Sequence, residues 1–343
     1  MIILTHIRMN IRVLSAIISI LAFSSPAIAQ VSPPSVNKLH DSLKEWVYFL
    51  ASDNMKGRAN GSPEMKVAAD YIAGTFKTAG LAPGFGDSYI KEYTFTSRER
   101  TIAERNVAAI IPGTDPALRD ECIIITAHFD HVGMGRPVNG DSIYNGADDN
   151  AAGTAAIMGV AKSIMERGLK PGRTLVFVAF SGEEMGMRGS RYFVANSPVD
   201  LRKAYINLNI EMPGYNQKIG KRKFYMTGES QTNIDDLIKS FSHNTGWTMD
   251  NTYEMAERLF NASDNVAFNA VERRGEILAG VPSTTLCTHT GEDHIHRPHD
   301  EAQFIDYENM TGFVNYLTEL VVHLSQSRQP AEWTSPRYVR YQD

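Results

Sequence analysis

Residues 122–125, Cys-Ile-Ile-Ile, form an apolar run within a strand expected over 122–127, which leads into His128-Phe129-Asp130-His131. A run with no polar alternation has to be covered on both faces, the situation of a strand inside a parallel sheet. A helical pattern follows over 151–167, opened by Asn145-Gly146-Ala147-Asp148-Asp149-Asn150. The same order recurs, with strands expected at 175–180 and 204–210, a helix at 188–196, a further strand at 283–288 and a long apolar helix at 307–324. Strands alternating with helices specify an α/β chain, here a single-domain three-layer sandwich with a mixed, mostly parallel central sheet and helices on both faces. Upstream, helices are expected at 39–51 and 64–79, the second closed by Gly80. An edge strand is expected around Tyr93 and Phe95, and a strand at 106–111 stopped by Pro112-Gly113.

The first residues belong to a different class of segment. Arg8 and Arg12 flank an apolar stretch over 13–23, and Pro26-Ala27-Ile28-Ala29 supplies small residues for cleavage before Gln30. Residues 1–29 therefore read as a secretory signal peptide, 30–325 as one folded domain and 326–343 as a peripheral tail. The expected location is periplasmic or extracellular. No later segment is long and apolar enough to span a bilayer. A net charge of -5 provides no basic field for nucleic acid. In an oxidising compartment, Cys122 and Cys287 allow either a bridge or two buried thiols. Two cysteines cannot build a thiolate metal site, so any metal falls to His and carboxylates. The sequence leaves the oligomeric state open.

Ligands of such sheets bind at the carboxyl ends of the strands, and that is where the acidic residues and histidines collect. His128 and Asp130 follow one strand, Glu183-Glu184 the next and Glu211 a third, while His289, His294, His296 and His299 follow a fourth. Zinc takes His and carboxylate ligands from rigid elements in this manner. Asp130 is placed to support His128. Asp148 and Asp149 are more carboxylate than one helix cap requires, and one carboxylate can bridge two cations. Of Glu183 and Glu184, one can bind metal while its neighbour acts as general base. Glu211, in apolar surroundings, calls for a metal or an Arg partner.

These residues resemble the secreted co-catalytic di-zinc aminopeptidases, a family related to glutamate carboxypeptidase, transferrin receptor and glutaminyl cyclase. The resemblance is carried by Gly57-Arg58, Gly61-Ser62, Asn106-Val107, 127–133, 145–153, 180–184, Asn209-Ile210-Glu211-Met212, Ser263-Asp264-Asn265 and 296–301 with Ile305-Asp306-Tyr307. It implies two Zn2+: one on His128, Asp148 and Glu211, the other on Asp148, Glu184 and His296, with Asp148 as the bridge. It also implies Glu183 as general base and Asp130 orienting His128, and it leaves His131 and Asp149 either supporting the ligands from behind or structural. The implied function is a two-metal exopeptidase that hydrolyses the N-terminal bond of peptides. The alternatives are a one-zinc transferase of the glutaminyl cyclase type, or a carboxypeptidase or dipeptidase on the same fold. The chain departs from the family pattern at Glu211, where Asp is frequent, and at Ala262, where many relatives carry Arg.

Overall fold

The computed structural model describes residues 36–340 except 244, 251, 270–277, 291–292 and 337, so the expected signal peptide lies outside the described residues. Its strands are β1 (Ala82–Pro83), β2 (Ile90–Ser97), β3 (Arg100–Ile111), β4 (Cys122–His128), β5 (Met134–Val138), β6 (Asp141–Ile143), β7 (Thr174–Phe180), β8 (Ala204–Glu211), β9 (Lys223–Met226), β10 (Thr248–Met249), β11 (Leu278–Gly280), β12 (Ser283–Cys287) and β13 (Tyr338–Arg340). The helices are α1 (Val36–Leu50), α2 (Pro63–Thr78), α3 (Gly153–Glu166), α4 (Arg188–Ala195), α5 (Ile234–Ser242), α6 (Val266–Asn269) and α7 (Tyr307–Gln326).

Nine strands form one mixed sheet in the order β1-β3-β7-β4-β8-β12-β9-β10, with β2 also paired to β3. Its centre is parallel, as expected: β7, β4, β8 and β12 run the same way, and β3 and β9 flank them antiparallel. Because side chains alternate along a strand, the apolar runs divide between two layers. Ile123 and Ile125 of β4, with Leu175, Phe177 and Ala179 of β7, face a layer containing α1, α2, α3 and α7. Ile124, with Val176, Val178 and Phe180, faces Phe193 of α4 and Phe268 of α6. Helix α3 is buried almost throughout because it lies between the sheet and α1 and α7. A Cβ at Gly159 would come 2.9 Å from Val314, so glycine there sets how closely α3 and α7 approach.

Two expectations are resolved by this register. Cys122 pairs with Ala204 and Cys287 with Glu211, at opposite ends of β8. Seven residues of strand separate them by about 23 Å, far beyond disulfide reach, and both are buried free thiols. The tail, expected to be peripheral, is pinned: β13 pairs with β11, Trp333 bridges to Thr232 and Ala331 is buried.

Candidate metal centre

Four parallel strands end on one side of the sheet, and the polar residues of the chain converge there. His128, the last residue of β4, directs Nε2 to within 3.0 Å of Glu211 Oε1 at the end of β8 and 3.4 Å of Asp149 Oδ1. Across Asp149, Oδ2 lies 3.3 Å from His296 Nε2 and 3.7 Å from His131 Nδ1. Glu184 completes this second group, 3.0 Å from His296 Nε2 and 3.1 Å from His131 Nδ1. Two sets of donors therefore share Asp149: His128, Asp149 and Glu211 in one, and His131, Asp149, Glu184 and His296 in the other.

This corrects the sequence-based assignment of the shared carboxylate. Asp148 turns away from both groups: its Oδ1 accepts from Gly214 N at 2.6 Å, and its Oδ2 lies 3.0 Å from Nδ1 of His289. The physical reason is the turn over 147–152. Asp149 and Asn150 have non-helical backbone angles there, so a helix-start pattern does not say which of two adjacent aspartates points inward. Asn150 then ties the turn to β8, donating to Ile210 O and accepting from Met212 N and Gly153 N. His131 is likewise part of the second group rather than a structural residue at its edge.

Asp130 stands against His128 as expected, with its main-chain oxygen 3.2 Å and its carboxylate 3.6 Å from His128 Nδ1. The carboxylate also accepts from the backbone N–H groups of Glu183 and Glu184, both at 3.1 Å, and from Asn60 at 2.7 Å. It fixes the loop that presents those two glutamates. Asp300 plays the same part across the site, accepting from Asp148 N at 2.8 Å and Asp149 N at 3.0 Å. Burial and the neighbouring Asp148 raise its pKa to about 7.

Arg58 was legible only as part of a Gly-Arg pair. It is fully buried, and its guanidinium donates to the carbonyls of Phe129 (2.7 Å), Leu50 (2.5 Å), Asn145 (2.7 Å) and Gly146 (2.8 Å). It thus joins the turn carrying Asp130 to the turn carrying Asp149. Burial lowers its pKa to about 10, against the pull of Asp300, Asp130 and Asp149.

The electrostatics are those of an acidic cluster. Burial disfavours protonation of His128, but Glu211, Asp130 and Asp149 outweigh it and hold its pKa well above the usual range. Hydrogen bonds to Asp149 and Glu184 take His296 to about 10. Burial raises Glu211 and Glu183, Glu183 also through Asp264, Glu211 and Glu184, while His128 opposes both shifts. A divalent cation answers this excess of negative donors. For tetrahedral coordination with arms of about 2.0–2.1 Å, donors stand about 3.3–3.4 Å apart, and the donor separations given above, 3.0–3.7 Å, bracket that value. Both ring nitrogens of His131 are buried without a hydrogen bond, as expected of a ring placed for a cation. The donor set fits two divalent cations.

The centre opens on a cavity of about 590 Å³ that Glu183 also lines. Met187, Met212, Met255, Leu259, Tyr225 and Ile295 contribute apolar wall, and no Lys or Arg occurs among the described lining residues. Met187, Met212 and His296 hold left-handed backbone, φ 55°, 47° and 53°. Such strain in non-glycine residues persists only where surrounding structure enforces it.

Known proteins match in both sequence and fold. The chain is 32% identical over 212 residues to leupeptin-inactivating enzyme 1 of Streptomyces exfoliatus, covering 59% of this chain and 43% of that protein. It is 23% identical over 236 residues to leucine aminopeptidase 1 of Trichophyton equinum, covering 67% and 60%. The matched region thus spans about half the length of these relatives. Among solved structures, the zinc aminopeptidase BSAP of Bacillus subtilis superposes with a TM-score of 0.59 at 14% identity, over 82% of this chain and 94% of that one. The glutaminyl cyclase of Porphyromonas gingivalis gives 0.58 at 20% identity, over 82% and 97%. At these identities the superpositions speak for the α/β fold alone. Residues 106–321, more than half of the chain and every donor of both groups, match Peptidase family M28, and the chain belongs to that family.

Proposed function

We propose that this peptidase is a secreted aminopeptidase that removes N-terminal residues from peptides with two divalent cations, zinc by preference. The observation that carries this reading is the sharing of Asp149 between two His–carboxylate groups at the floor of a cavity. Bound cations there supply Lewis acidity to a scissile carbonyl and acidify water. His128 and Glu211 would hold one cation, His131, Glu184 and His296 the other, with Asp149 across both. Glu183 faces the cavity without belonging to either group, the position of a general base. It takes a proton from the attacking water and returns it to the leaving amine. The burial that raises its proton affinity suits both halves of that exchange.

The lining charges favour a free N-terminus over a free C-terminus. A substrate ammonium meets the carboxylates of Glu183, Glu184, Glu211 and Asp149, whereas an α-carboxylate finds no cationic side chain among the described lining residues. The apolar walls suit an apolar first side chain. The glutaminyl cyclase alternative, with one zinc, leaves one complete donor group without a purpose.

A panel of aminoacyl fluorophores beside N-acetylated peptides, with and without chelator, tests the reading. Free-amine substrates should be cleaved, chelator should abolish turnover and zinc should restore it. Glu183→Gln should lower kcat by about 10²–10⁴-fold while metal content is unchanged. Cleavage of blocked peptides alone, or full turnover by Glu183→Gln, would overturn it. Secretion has its own check: the mature protein recovered outside the cytoplasm should begin at Gln30.

A further inference from the structure

The segment 181–189, between β7 and α4, carries Glu183 and Glu184, and its two feet meet. Gly189 N donates to Ser181 O at 3.0 Å and Arg188 N to Gly182 O at 2.8 Å. A Cβ at Gly189 would stand 2.2 Å from Ser181 O, so only glycine lets the feet come this close. One side chain spans them. Asn106 of β3, fully buried, accepts from Ser181 N at 3.3 Å through Oδ1 and donates from Nδ2 to Gly189 O at 2.8 Å. Tyr93 of β2 adds a hydrogen bond from its hydroxyl to Ser181 O at 3.0 Å. The feet are thus fastened to β2 and β3, while Asp130 holds the tip through Glu183 N and Glu184 N. The two glutamates depend on this loop unequally. Glu184 has anchors for its side chain, His131 at 3.1 Å and His296 at 3.0 Å. The Glu183 carboxylate makes no hydrogen bond or ion pair among the described residues. It faces the cavity, and its backbone alone decides where it stands.

We propose that Asn106 is a positioning residue for the peptidase reaction. By clamping the feet of segment 181–189 it fixes the place of the Glu183 carboxylate in the cavity, while the metal donors keep their own anchors. The inference rests on the reading of Glu183 as general base. Removing the amide leaves a buried N–H at Ser181 and a buried carbonyl at Gly189 without that partner, and the feet part to find others. Glu184 stays with its histidines, and Glu183 moves with the backbone. A displacement of about 1 Å at a reacting group costs about 10²-fold in rate. The loss cannot exceed that caused by removing the base itself, about 10²–10⁴-fold.

Zinc-loaded wild type, Asn106→Ala, Glu183→Gln and the double variant are compared on one aminoacyl fluorophore, with bound zinc measured by elemental analysis. Asn106→Ala should keep its zinc and lose about 10²-fold in kcat, with kcat/KM falling equally because the interaction lost belongs to the transition state. In the Glu183→Gln background the same change should stay within about twofold, since a group that acts through the base has nothing left to position. Asn106→Asp gives an independent readout. Ionised, its second oxygen faces the Gly189 carbonyl and the clamp opens; protonated, its O–H donates there and the clamp closes. Over the pH range in which both proteins keep zinc, its kcat relative to wild type should rise as pH falls through the carboxyl's pKa. Burial holds that pKa above the usual value of about 3.9. The ratio for Asn106→Ala should stay flat. Asn106→Asp also stands in if Asn106→Ala shows no folded baseline in circular dichroism melts. Full turnover by Glu183→Gln would overturn the base assignment and this proposal with it. Equal losses from Asn106→Ala in both backgrounds, loss of zinc from the Asn106 variants, or a pH-independent ratio for Asn106→Asp would overturn the positioning role and leave the base assignment intact.

Discussion

Arg58→Lys keeps a positive charge in a fully buried position and should still destabilise the protein severely. Three nitrogens of the guanidinium serve four carbonyls: Nε reaches Phe129, Nη1 reaches Leu50 and Asn145, and Nη2 reaches Gly146. An ammonium is a single point. Placed where Nη1 sits, it can serve Leu50 and Asn145 and abandons Phe129 and Gly146. Two hydrogen bonds to a charged donor, at about 1.5–3 kcal/mol each, give a loss of about 3–6 kcal/mol. At about 2 °C per kcal/mol for a chain of this size, the midpoint should fall by about 6–12 °C. The abandoned carbonyls sit in the turns that carry Asp130 and Asp149, so metal affinity should fall as well, by roughly 10–100-fold. Urea unfolding of the metal-free protein, followed by tryptophan fluorescence, measures the first effect with an unchanged m-value. Arg328→Lys, in an exposed pair with Asp115, is the control and should stay within about 0.5 kcal/mol. An Arg58→Lys variant within about 1 kcal/mol of wild type would refute the idea that fork geometry, rather than charge, holds the two turns together.

Asp149→Asn should cost the protein most of its bound zinc, whereas Asp148→Asn should retain it, as read by elemental analysis of dialysed protein; the reverse pattern would restore the assignment made from sequence. Burial raises Glu104 to about 7 from 4.5. Between those values the native state binds the extra proton, so stability falls as pH rises through the window. Glu104→Gln keeps an acceptor for Gly61 N and should be more stable than wild type above pH 7 by up to roughly 3 kcal/mol, with the difference vanishing near pH 4; parallel pH curves for the two proteins would contradict this. Reducing agent should leave the thermal midpoint unchanged, because Cys122 and Cys287 lie beside opposite ends of β8.

The regular elements were legible because burial leaves a periodic trace. Residues 122–125 and 175–180 are apolar without interruption since each strand feeds two layers, Ile123 and Ile125 into one and Ile124 into the other. The strand ends followed from the strands, and with them the neighbourhood of His128, Glu183-Glu184 and Glu211. Periodicity stops at those ends. In the turn after Gly146, whose φ is 60°, neither the helical nor the strand repeat applies, and Asp148 and Asp149 become equivalent on paper. What separates them is long-range: Gly214 N takes one carboxylate, and Asp300, 151 residues on, fixes the peptide of the other. The left-handed conformation of Met212 and His296 is invisible for the same reason, because local preference disfavours it.

The polar contacts around the centre share one arrangement, in which each strand end is held by a side chain from another. Asp130, after β4, orders the backbone after β7 through Glu183 N and Glu184 N. Asn150, before α3, orders the end of β8 through Ile210 O and Met212 N. Asp300, beyond β12, orders the turn of Asp149. Ser263 accepts from Asn209 and donates to Glu211. None of these four belongs to a donor group, yet together they fix the backbone from which the donors project, so the donors stand on rigid, cross-linked elements. A site arranged this way should bind metal without global refolding, and its affinity should track the cross-links as closely as the ligands themselves.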